Sequence, residues 1–203
     1  MSKKPVIVFE GIEGSGKSYH LASVAKYLKK KKINFIKIRE PGGSLNSEKI
    51  RRLMLNKKSS FNKLTDLLLF LSSRSENISL IKKNYNKKII LIDRFTDSTI
   101  AYQHYGMGLN LKLIKSINKY LLNNIKINFT FLNIVNNKNL FLRLKERKSL
   151  NRYDKFNSEF YNKVQKGFIK LAKSNKKLYM IIDSNLEIEN NKKLILKKIN
   201  QLI

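Results

Sequence analysis

The 203-residue chain contains no cysteine and no tryptophan, and it has two prolines. Without cysteine it can form neither a disulfide framework nor a metal site with thiolate ligands. No apolar run reaches the roughly 18 residues of a membrane-spanning helix, and the apolar stretch near the start is too short for the core of a signal peptide. We therefore expect a protein that does not interact with membranes and acts in the cytoplasm.

Acidic residues are scarce, because 14 Asp and Glu stand against 43 Lys and Arg, which gives a net charge of +29. Such an excess is typical of proteins that bind nucleic acids. The chain is, however, enriched in lysine, asparagine and isoleucine together, and all three have AT-rich codons, so the base composition of the genome explains the excess. The lysines are also spread along predicted helices, and those at 29–32 fall at a helix end, where the helix dipole favours cations. We expect no specific nucleic-acid partner.

The clearest motif is a glycine-rich loop of the form G-x-x-x-x-G-K-[ST], which lies between an apolar strand at 5–9 and a helical pattern at 19–28. Its glycines allow a tight turn in which consecutive N–H groups point into one concavity. Lys17 then reaches the β and γ phosphates of a nucleotide, and Ser18 offers its hydroxyl to Mg²⁺. The predicted ATP-binding residues are Gly11, Ile12, Glu13, Gly14, Ser15, Gly16, Lys17 and Ser18.

Apolar segments alternate with helical patterns along the whole chain. The predicted strands are 5–9, 33–38, 88–92, 127–132 and 178–182, and the predicted helices are 19–28, 47–56, 64–84, 98–105, 111–123, 137–147, 158–173 and 187–202. Strands that are apolar on both faces are typical of a parallel sheet covered by helices. No linker or internal repeat divides the chain, so we expect a single α/β domain over residues 1–203, with a doubly wound five-stranded sheet.

Polar residues follow three of the predicted strands. In doubly wound sheets, ligands bind at the carboxyl ends of the strands, where the loops converge. The ends here carry Glu10 with the glycine-rich loop, Arg-Glu-Pro-Gly-Gly at 39–43, and Asp93 with Arg94. Asp93 is placed to hold Mg²⁺, the alternative being an ordinary aspartate in a turn. Arg39 and Arg94 suit a second phosphate group, which a kinase acting on a nucleoside monophosphate needs; both could instead be solvated or form salt bridges.

Phe70 and Arg74 are four residues apart on a predicted helix and therefore share one face. A ring and a fork of donors side by side could recognise a nucleobase, the ring by stacking and the guanidinium by hydrogen bonds. Considered alone, a phenylalanine is more often a core residue and an arginine a surface residue.

Taken together, these segments resemble the thymidylate kinase family. The order and spacing of that family are kept by residues 9–18, by Arg-Glu-Pro-Gly-Gly at 39–43, by Phe70 with Arg74, by Asp-Arg-Phe at 93–95 and by Ser-Thr-Ile-Ala-Tyr-Gln at 98–103. The resemblance covers nearly the whole chain, and the segments at 39–43 and 98–103 are more specific than the phosphate loop. It implies a P-loop NTPase fold and the transfer of a phosphoryl group from MgATP to dTMP.

The resemblance also implies how the substrate is held. It assigns the 5′-monophosphate to Arg39 and Arg94 and the 3′-hydroxyl of the deoxyribose to Glu13. The ring of Tyr102 would crowd the sugar 2′ position and disfavour ribonucleotides.

The thymine base is assigned to three residues by the same resemblance. Phe70 would stack on the base, Arg74 would donate to one of its oxygens, and Gln103 would lie close to it. Ser98 belongs to the same substrate-binding segment.

The segment at 143–154 is rich in Lys and Arg and resembles the short mobile lid of the family. Because the phosphate loop has Gly14 and Ser15 where a subset of the family has an arginine, the chain resembles the bacterial type, in which the lid supplies a cation. Arg147 and Arg152 are the candidates, and a solvated basic turn is the alternative. Closure of such a lid would exclude water and place positive charge on the transferring phosphoryl group. The family also implies a homodimer.

Two other functions stay open when the residues are considered alone. Another phosphate-loop kinase would keep Lys17 and Asp93 but would not need the paired Arg39 and Arg94. A nucleic-acid-stimulated ATPase would explain the charge, but it requires a carboxylate that activates water and hydrolyses ATP without an acceptor.

Overall fold

The computed structural model describes residues 4–147 and 151–203. In this part of the chain, five strands form one parallel sheet in the order β2-β3-β1-β4-β5. They are β1 (Val6–Gly11), β2 (Phe35–Arg39), β3 (Ile89–Asp93), β4 (Phe129–Ile134) and β5 (Tyr179–Asp183). The prediction of a five-stranded parallel sheet flanked by helices is confirmed.

The helices in the described residues are α1 (Lys17–Lys30), α2 (Leu45–Leu55), α3 (Lys63–Asn84), α4 (Thr96–Thr99), α5 (Leu111–Leu122), α6 (Asn137–Lys145), α7 (Ser158–Ser174) and α8 (Ile188–Leu202). None of these is long and apolar enough to cross a membrane. The helix predicted at 98–105 differs from the observed one, because α4 begins earlier and continues as a π-helix at Ile100–Gly106. Its wider turn is seen where the N–H of Met107 donates to the oxygen of Tyr102 at 2.9 Å. Apolar spacing over two turns does not separate a π-helix from an α-helix, and π-helical turns occur often at functional sites.

Two layers of helices bury both faces of the sheet. Helices α1 and α8 cover one face, where Leu28 and Ile199 pack with Phe9 in the same fully buried cluster. Helices α3 and α7 lie on the other face, where Ile81 and Val164 are fully buried. This two-sided burial explains why the strands are apolar on both faces.

The carboxyl ends of β1, β2 and β3 meet at one edge of the sheet. The N–H of Glu40, just after β2, donates to the oxygen of Asp93 at 2.9 Å, and the N–H of Arg94 donates to the oxygen of Phe9 at 2.9 Å. These bonds continue the parallel pairing one residue beyond the strands. The three polar segments that follow the strands are thereby brought together.

Candidate active site

The glycine-rich loop connects β1 to α1 and turns around a concavity. Gly11 has a φ of +141°, and a Cβ atom there would come within 2.3 Å of the backbone oxygen of Asn133, so a larger residue does not fit. Gly16 is left-handed, with a φ of +79°, at the N-cap of α1. The hydroxyl of Ser184 donates to the backbone oxygen of Ser15 at 2.7 Å and fixes the loop from the side of β5. An anion in this concavity would face the N-terminus of α1 and its dipole.

Lys17, the first residue of α1, folds back along the loop. Its Nζ donates to the backbone oxygen of Ile12 at 3.2 Å, and the side chain is buried. Burial, followed by the like charge of Arg94, lowers the pKa of Lys17 to about 8. An anionic partner would restore the charged form, so this lysine is suited to bind phosphate.

Ser18 and Asp93 bring two kinds of oxygen together beside the loop. The Ser18 hydroxyl donates to Oδ2 of Asp93 at 2.7 Å. The other carboxylate oxygen, Oδ1, is buried and has no hydrogen-bond partner among the described residues. No group of three or more His, Cys, Asp or Glu residues that could hold a metal occurs in that part of the chain. One hydroxyl and one carboxylate fit Mg²⁺ in a nucleotide site, where phosphates and waters supply the other ligands.

Arg94 follows directly after β3 and joins the phosphate loop to the rest of the site. Its backbone is left-handed, with a φ of +66°, a conformation that costs a non-glycine residue about 1–3 kcal/mol. Its Nη2 donates to Oε1 of Glu13 at 2.6 Å, and its Nη1 to Oγ of Ser98 at 3.4 Å. Burial alone would raise the pKa of Glu13, but Arg94, with Lys17, holds that pKa below its ordinary value. Both partners of the Arg94–Glu13 pair are therefore charged.

Arg39 lies at the rim of the site, and Arg51 lies deeper. Arg39 is 55% exposed and donates to Glu48 through Nε and Nη2, at 3.1 and 3.0 Å. Arg51, in α2, donates to the backbone oxygen of Pro41 at 2.6 Å, and burial lowers its pKa. The sequence analysis missed Arg51, because no sequence pattern separates it from its neighbour Arg52.

An open cavity of about 580 Å³ is lined by two sets of polar side chains. One set is Lys17 and Ser18 of the phosphate loop, with Asp93. The other set is the arginines Arg39, Arg51, Arg94 and Arg147. Two phosphate groups inside this cavity would each meet cations, which would offset their mutual repulsion.

A second cavity of about 480 Å³ adjoins the first and shares Glu13, Arg51 and Arg94 with it. The predicted substrate residues that line it are Glu13, Phe70, Arg94, Ser98, Tyr102 and Gln103. The Tyr102 hydroxyl donates to the Glu13 carboxylate. Oε1 of Gln103 is buried without a hydrogen-bond partner among the described residues. An aromatic wall with a few polar groups suits a nucleoside.

Arg74 lies behind this cavity instead of lining it, which differs from the expected position. The side chain is 1% exposed, and its guanidinium donates to Oε2 of Glu40 at 2.8 Å, to Oδ1 of Asn118 at 2.6 Å and to the backbone oxygen of Phe95 at 2.8 Å. The spacing of Phe70 and Arg74 fixes a shared helix face but not the depth of each side chain. In this structure Arg74 supports the cavity wall, and Phe70 lines the cavity.

The two predicted lid cations lie in different surroundings. Arg147 donates to Oδ1 of Asp154 at 2.6 Å and lines the cavity with Lys17. Arg152 instead pairs with the buried carboxylate of Asp66 on α3 and donates to the Tyr153 hydroxyl at 2.9 Å. Arg152 is thus not among the residues that line the cavity with Lys17. The sequence could not separate the two candidates, because basic residues in a loop give no pattern that tells which one points inward.

The remainder of the predicted lid includes residues 148–150, which lie outside the described residues. Tyr153 and Asn151, which follow them, line the second cavity and were missed by the sequence analysis. The ring of Tyr153 meets Phe70 edge to face at 5.7 Å, and its hydroxyl donates to Asp66 at 2.6 Å. This contact joins two segments more than 80 residues apart, so it depends on the fold.

A third opening, of about 550 Å³, lies on the other side of the phosphate loop. Arg143 spans it, because Nη1 donates to the oxygen of Gly14 at 2.8 Å and Nη2 to the oxygen of Ser184 at 2.7 Å. Leu186 and Ile188 form an apolar border. The sequence analysis placed Arg143 in the predicted lid and gave Leu186 and Ile188 no role, since α6 and the segment after β5 meet only in the folded chain.

Comparisons with known proteins agree with this geometry. A family model described as "Thymidylate kinase" matches residues 9–195. The chain is 38% identical over 186 residues to a thymidylate kinase of Thermosipho africanus, a match that covers 91% of this chain and 92% of that protein. A thymidylate kinase of Sulfurihydrogenibium is 36% identical over 198 residues, which is 96% of each chain. The crystal structure of thymidylate kinase from Ehrlichia chaffeensis superposes with a TM-score of 0.79 at 32% identity and covers 98% of this chain and 99% of that one.

Proposed function

The chain belongs to the thymidylate kinase family, and we propose that its two adjoining cavities hold the phosphates of MgATP and the whole of dTMP. As a member of this family, the protein phosphorylates dTMP with ATP and forms dTDP and ADP, a reaction that supplies dTTP for DNA synthesis. The assignment of residues to each step is our proposal.

The observation that carries the assignment is the shared cavity between Lys17 and Arg94. A phosphate monoester oxygen is already a competent nucleophile, so catalysis requires that two anions be positioned in line and their repulsion neutralised. Lys17 and the loop amides would bind the donor phosphates, while Arg94, Arg51 and Arg39 would bind the acceptor phosphate. Cations that line the cavity would thus meet both the donor and the acceptor phosphates.

Mg²⁺ would be held by Ser18 and Asp93. When bound with ATP it neutralises charge that develops on the phosphate oxygens. The buried Oδ1 of Asp93, without a protein partner among the described residues, supports this assignment. Ser18 and Asp93 also orient each other through their 2.7 Å hydrogen bond.

The nucleoside of dTMP would occupy the cavity lined by aromatic rings. Phe70 would stack on the base, and Oε1 of Gln103, which has no partner among the described residues, would meet one of its polar groups. Glu13 would accept from the sugar 3′-hydroxyl, and Tyr102, which donates to Glu13, would place its ring where a ribose 2′-hydroxyl would lie. Such a fit would favour deoxyribose over ribose.

Arg147 would provide the lid cation for phosphoryl transfer. It lines the cavity with Lys17, and its pair with the buried carboxylate of Asp154 holds the guanidinium in place. The adenosine of ATP would enter the opening bordered by Leu186 and Ile188, where the guanidinium plane of Arg143 offers a surface for stacking.

The protein would act as a homodimer in the cytoplasm. Leu64 and Leu68 lie one turn apart on α3 and are each 48% exposed, and Leu53 on the adjacent α2 is 50% exposed. An apolar patch of this kind supports association with a second copy. Sedimentation equilibrium at micromolar concentration should give twice the monomer mass for the wild type and the monomer mass for Leu68→Glu, and a monomeric wild type would refute the dimer.

The proposal is tested by ADP release from MgATP with dTMP, dUMP, dCMP, dGMP, UMP or no acceptor. We expect strong turnover with dTMP and little with UMP. Arg94→Ala should lower turnover by on the order of 10²-fold, whereas Lys26→Ala, an exposed lysine on α1, serves as the matched control. Turnover without an acceptor, or near-normal turnover of the Arg94 variant, would contradict the assignment.

A further inference from the structure

Glu10, in β1, is a buried carboxylate that takes no direct part in the mechanism proposed above. It is 1% exposed, yet both of its oxygens have close donors. Oε1 accepts from the N–H of Phe95 at 2.8 Å and from the N–H of Ser98 at 3.2 Å, while Oε2 accepts from the Ser98 hydroxyl at 2.6 Å. The carboxylate therefore joins β1 to the segment that follows β3.

This segment begins with Arg94 in its left-handed conformation. The N–H of Phe95, which donates to Glu10, belongs to the peptide that directly follows Arg94. On the other side of Phe95, its backbone oxygen accepts from Arg74 at 2.8 Å. The buried side chains of Glu10 and Arg74 thus hold the two peptides around Phe95, and they keep the backbone of Arg94 in a conformation that a non-glycine residue seldom adopts.

Ser98 connects Glu10 to the side chain of Arg94 through hydrogen bonds. Its hydroxyl donates to Glu10 and can accept from Nη1 of Arg94, which lies 3.4 Å away. Because the Ser98 hydroxyl donates its hydrogen bond to Glu10, a lone pair of its oxygen stays directed at the guanidinium. Glu13 holds Nη2 of the same guanidinium at 2.6 Å. Arg94 is therefore held at two nitrogens: Nη2 by Glu13 directly, and Nη1 by Glu10 through the Ser98 hydroxyl.

We infer that Glu10 is a positioning residue for the binding of dTMP: through the Phe95 and Ser98 amides and the Ser98 hydroxyl, it sets the backbone and guanidinium of Arg94 toward the acceptor phosphate. This inference rests on the proposed contact between Arg94 and that phosphate. The two carboxylates of the site then have different roles: Glu13 would contact the substrate, and Glu10 would act only through Arg94.

Preorganisation of Arg94 explains why a carboxylate, which is costly to bury, occupies this position. A guanidinium that must be ordered when the substrate arrives loses conformational entropy on binding, and one that is already fixed does not. A neutral side chain at position 10 would be easier to bury, but it could not accept three hydrogen bonds with comparable strength.

The test is a double-mutant cycle between Glu10→Gln and Arg94→Ala, read as dissociation constants for dTMP and for ATP by isothermal titration calorimetry. In the wild-type background, Glu10→Gln should weaken dTMP binding about 10-fold and change ATP binding less than about 2-fold. In the Arg94→Ala background, the same change should alter dTMP binding less than about 2-fold, because the residue through which Glu10 acts is absent. Glu159→Gln, an exposed glutamate on α7, is the matched control and should bind as the wild type does.

Three results would overturn the inference: additive effects in the cycle, an equal loss of ATP binding, or unchanged dTMP binding in Glu10→Gln. If Arg94→Ala itself binds dTMP normally, the proposed role of Arg94 fails as well, and the two failures are thereby distinguished. Should Glu10→Gln not fold, Ser98→Ala keeps the carboxylate and both amide bonds and removes only the hydroxyl link. That variant should also weaken dTMP binding in an Arg94-dependent way, and an Arg94-independent or absent effect would refute the link.

Discussion

Replacing Glu10 with glutamine should weaken substrate binding, yet it should remove a loss of stability that the wild type suffers as the pH rises from acid to neutral. Burial raises the pKa of Glu10 from 4.5 to about 7, and the neighbouring Asp97 adds to the rise. The folded protein therefore holds a proton between pH 4.5 and about 7 that the unfolded chain has already lost. In that window the free energy of unfolding must fall as the pH rises.

The size of the effect follows from the pKa. A rise of about 2.5 in pKa corresponds to about 3 kcal/mol. Wild type should lose about this amount of stability through Glu10 between pH 4.5 and pH 8, and the glutamine variant should lose none through that position. Asp97, whose pKa burial also raises, and Arg94 face the same carboxylate, and the hydroxyl of Tyr179 on β5 donates to Asp97. Because the charges of Glu10 and Asp97 repel each other, the glutamine variant also changes the titration of Asp97, and the difference between the two proteins reports the pair.

The assay is urea unfolding followed by circular dichroism at several pH values from 5 to 8, and the measured quantity is the variant minus wild-type free energy of unfolding. This difference should rise by about 2.5 kcal/mol between pH 5 and pH 8. A difference that stays constant within about 0.5 kcal/mol would refute the reasoning. Glu159→Gln, at an exposed position, should give a flat difference. A glutamine variant that is more stable yet binds dTMP more weakly would show that the buried charge is kept for function at the expense of stability.

Other parts of the site give three further predictions. Because burial and Arg94 lower the pKa of Lys17 to about 8, free enzyme should lose affinity for ATP as the pH rises above that value, and Lys17→Arg should keep its affinity to higher pH in titrations with ATP. Tyr102→Phe, which keeps the ring, should retain discrimination between dTMP and its ribose analogue, whereas Tyr102→Ala should lose most of it; equal discrimination by both variants in ADP-release assays would contradict a steric role for the ring. Gly11→Ala should destabilise the fold by roughly 3 kcal/mol or more. Gly108→Ala, where φ is +82° and no described atom lies within 4 Å of the added Cβ, should cost about 1 kcal/mol. Similar unfolding midpoints for the two variants would be inconsistent with the 2.3 Å clash at Gly11.

Local patterns predicted the fold well because each depends on neighbours along the chain. Two-sided apolar runs gave the strands, and the motif from Gly11 to Ser18 gave the phosphate loop. The predicted elements differed from the structure where the backbone follows neither the α-helical nor the β-strand period. The stretch Ile100–Gly106 is π-helical, and its apolar spacing does not distinguish it from an α-helix.

The residues of the site likewise fall into those that the sequence could assign and those that it could not. Lys17, Ser18 and Asp93 could be assigned because the chemistry lies within a motif or directly after a strand, and the structure brings them around one cavity. The depth of Arg74 and the direction of Arg152 could not, since each is set by a buried acceptor from a distant segment: Glu40 for the first and Asp66 for the second. No spacing within a helix or loop encodes such partners.

The sequence by itself determined which residues follow the strands and hence which chemistry the edge of the sheet can carry. It determined the phosphate loop, the three polar strand ends and the family resemblance, because turn formation and burial periodicity are local properties. Only the tertiary structure decided which cations face the cavity and which are held behind it. The buried carboxylates Glu40 and Asp66 hold Arg74 and Arg152 behind it, because a charge removed from water must be paired with a donor that the fold brings to it.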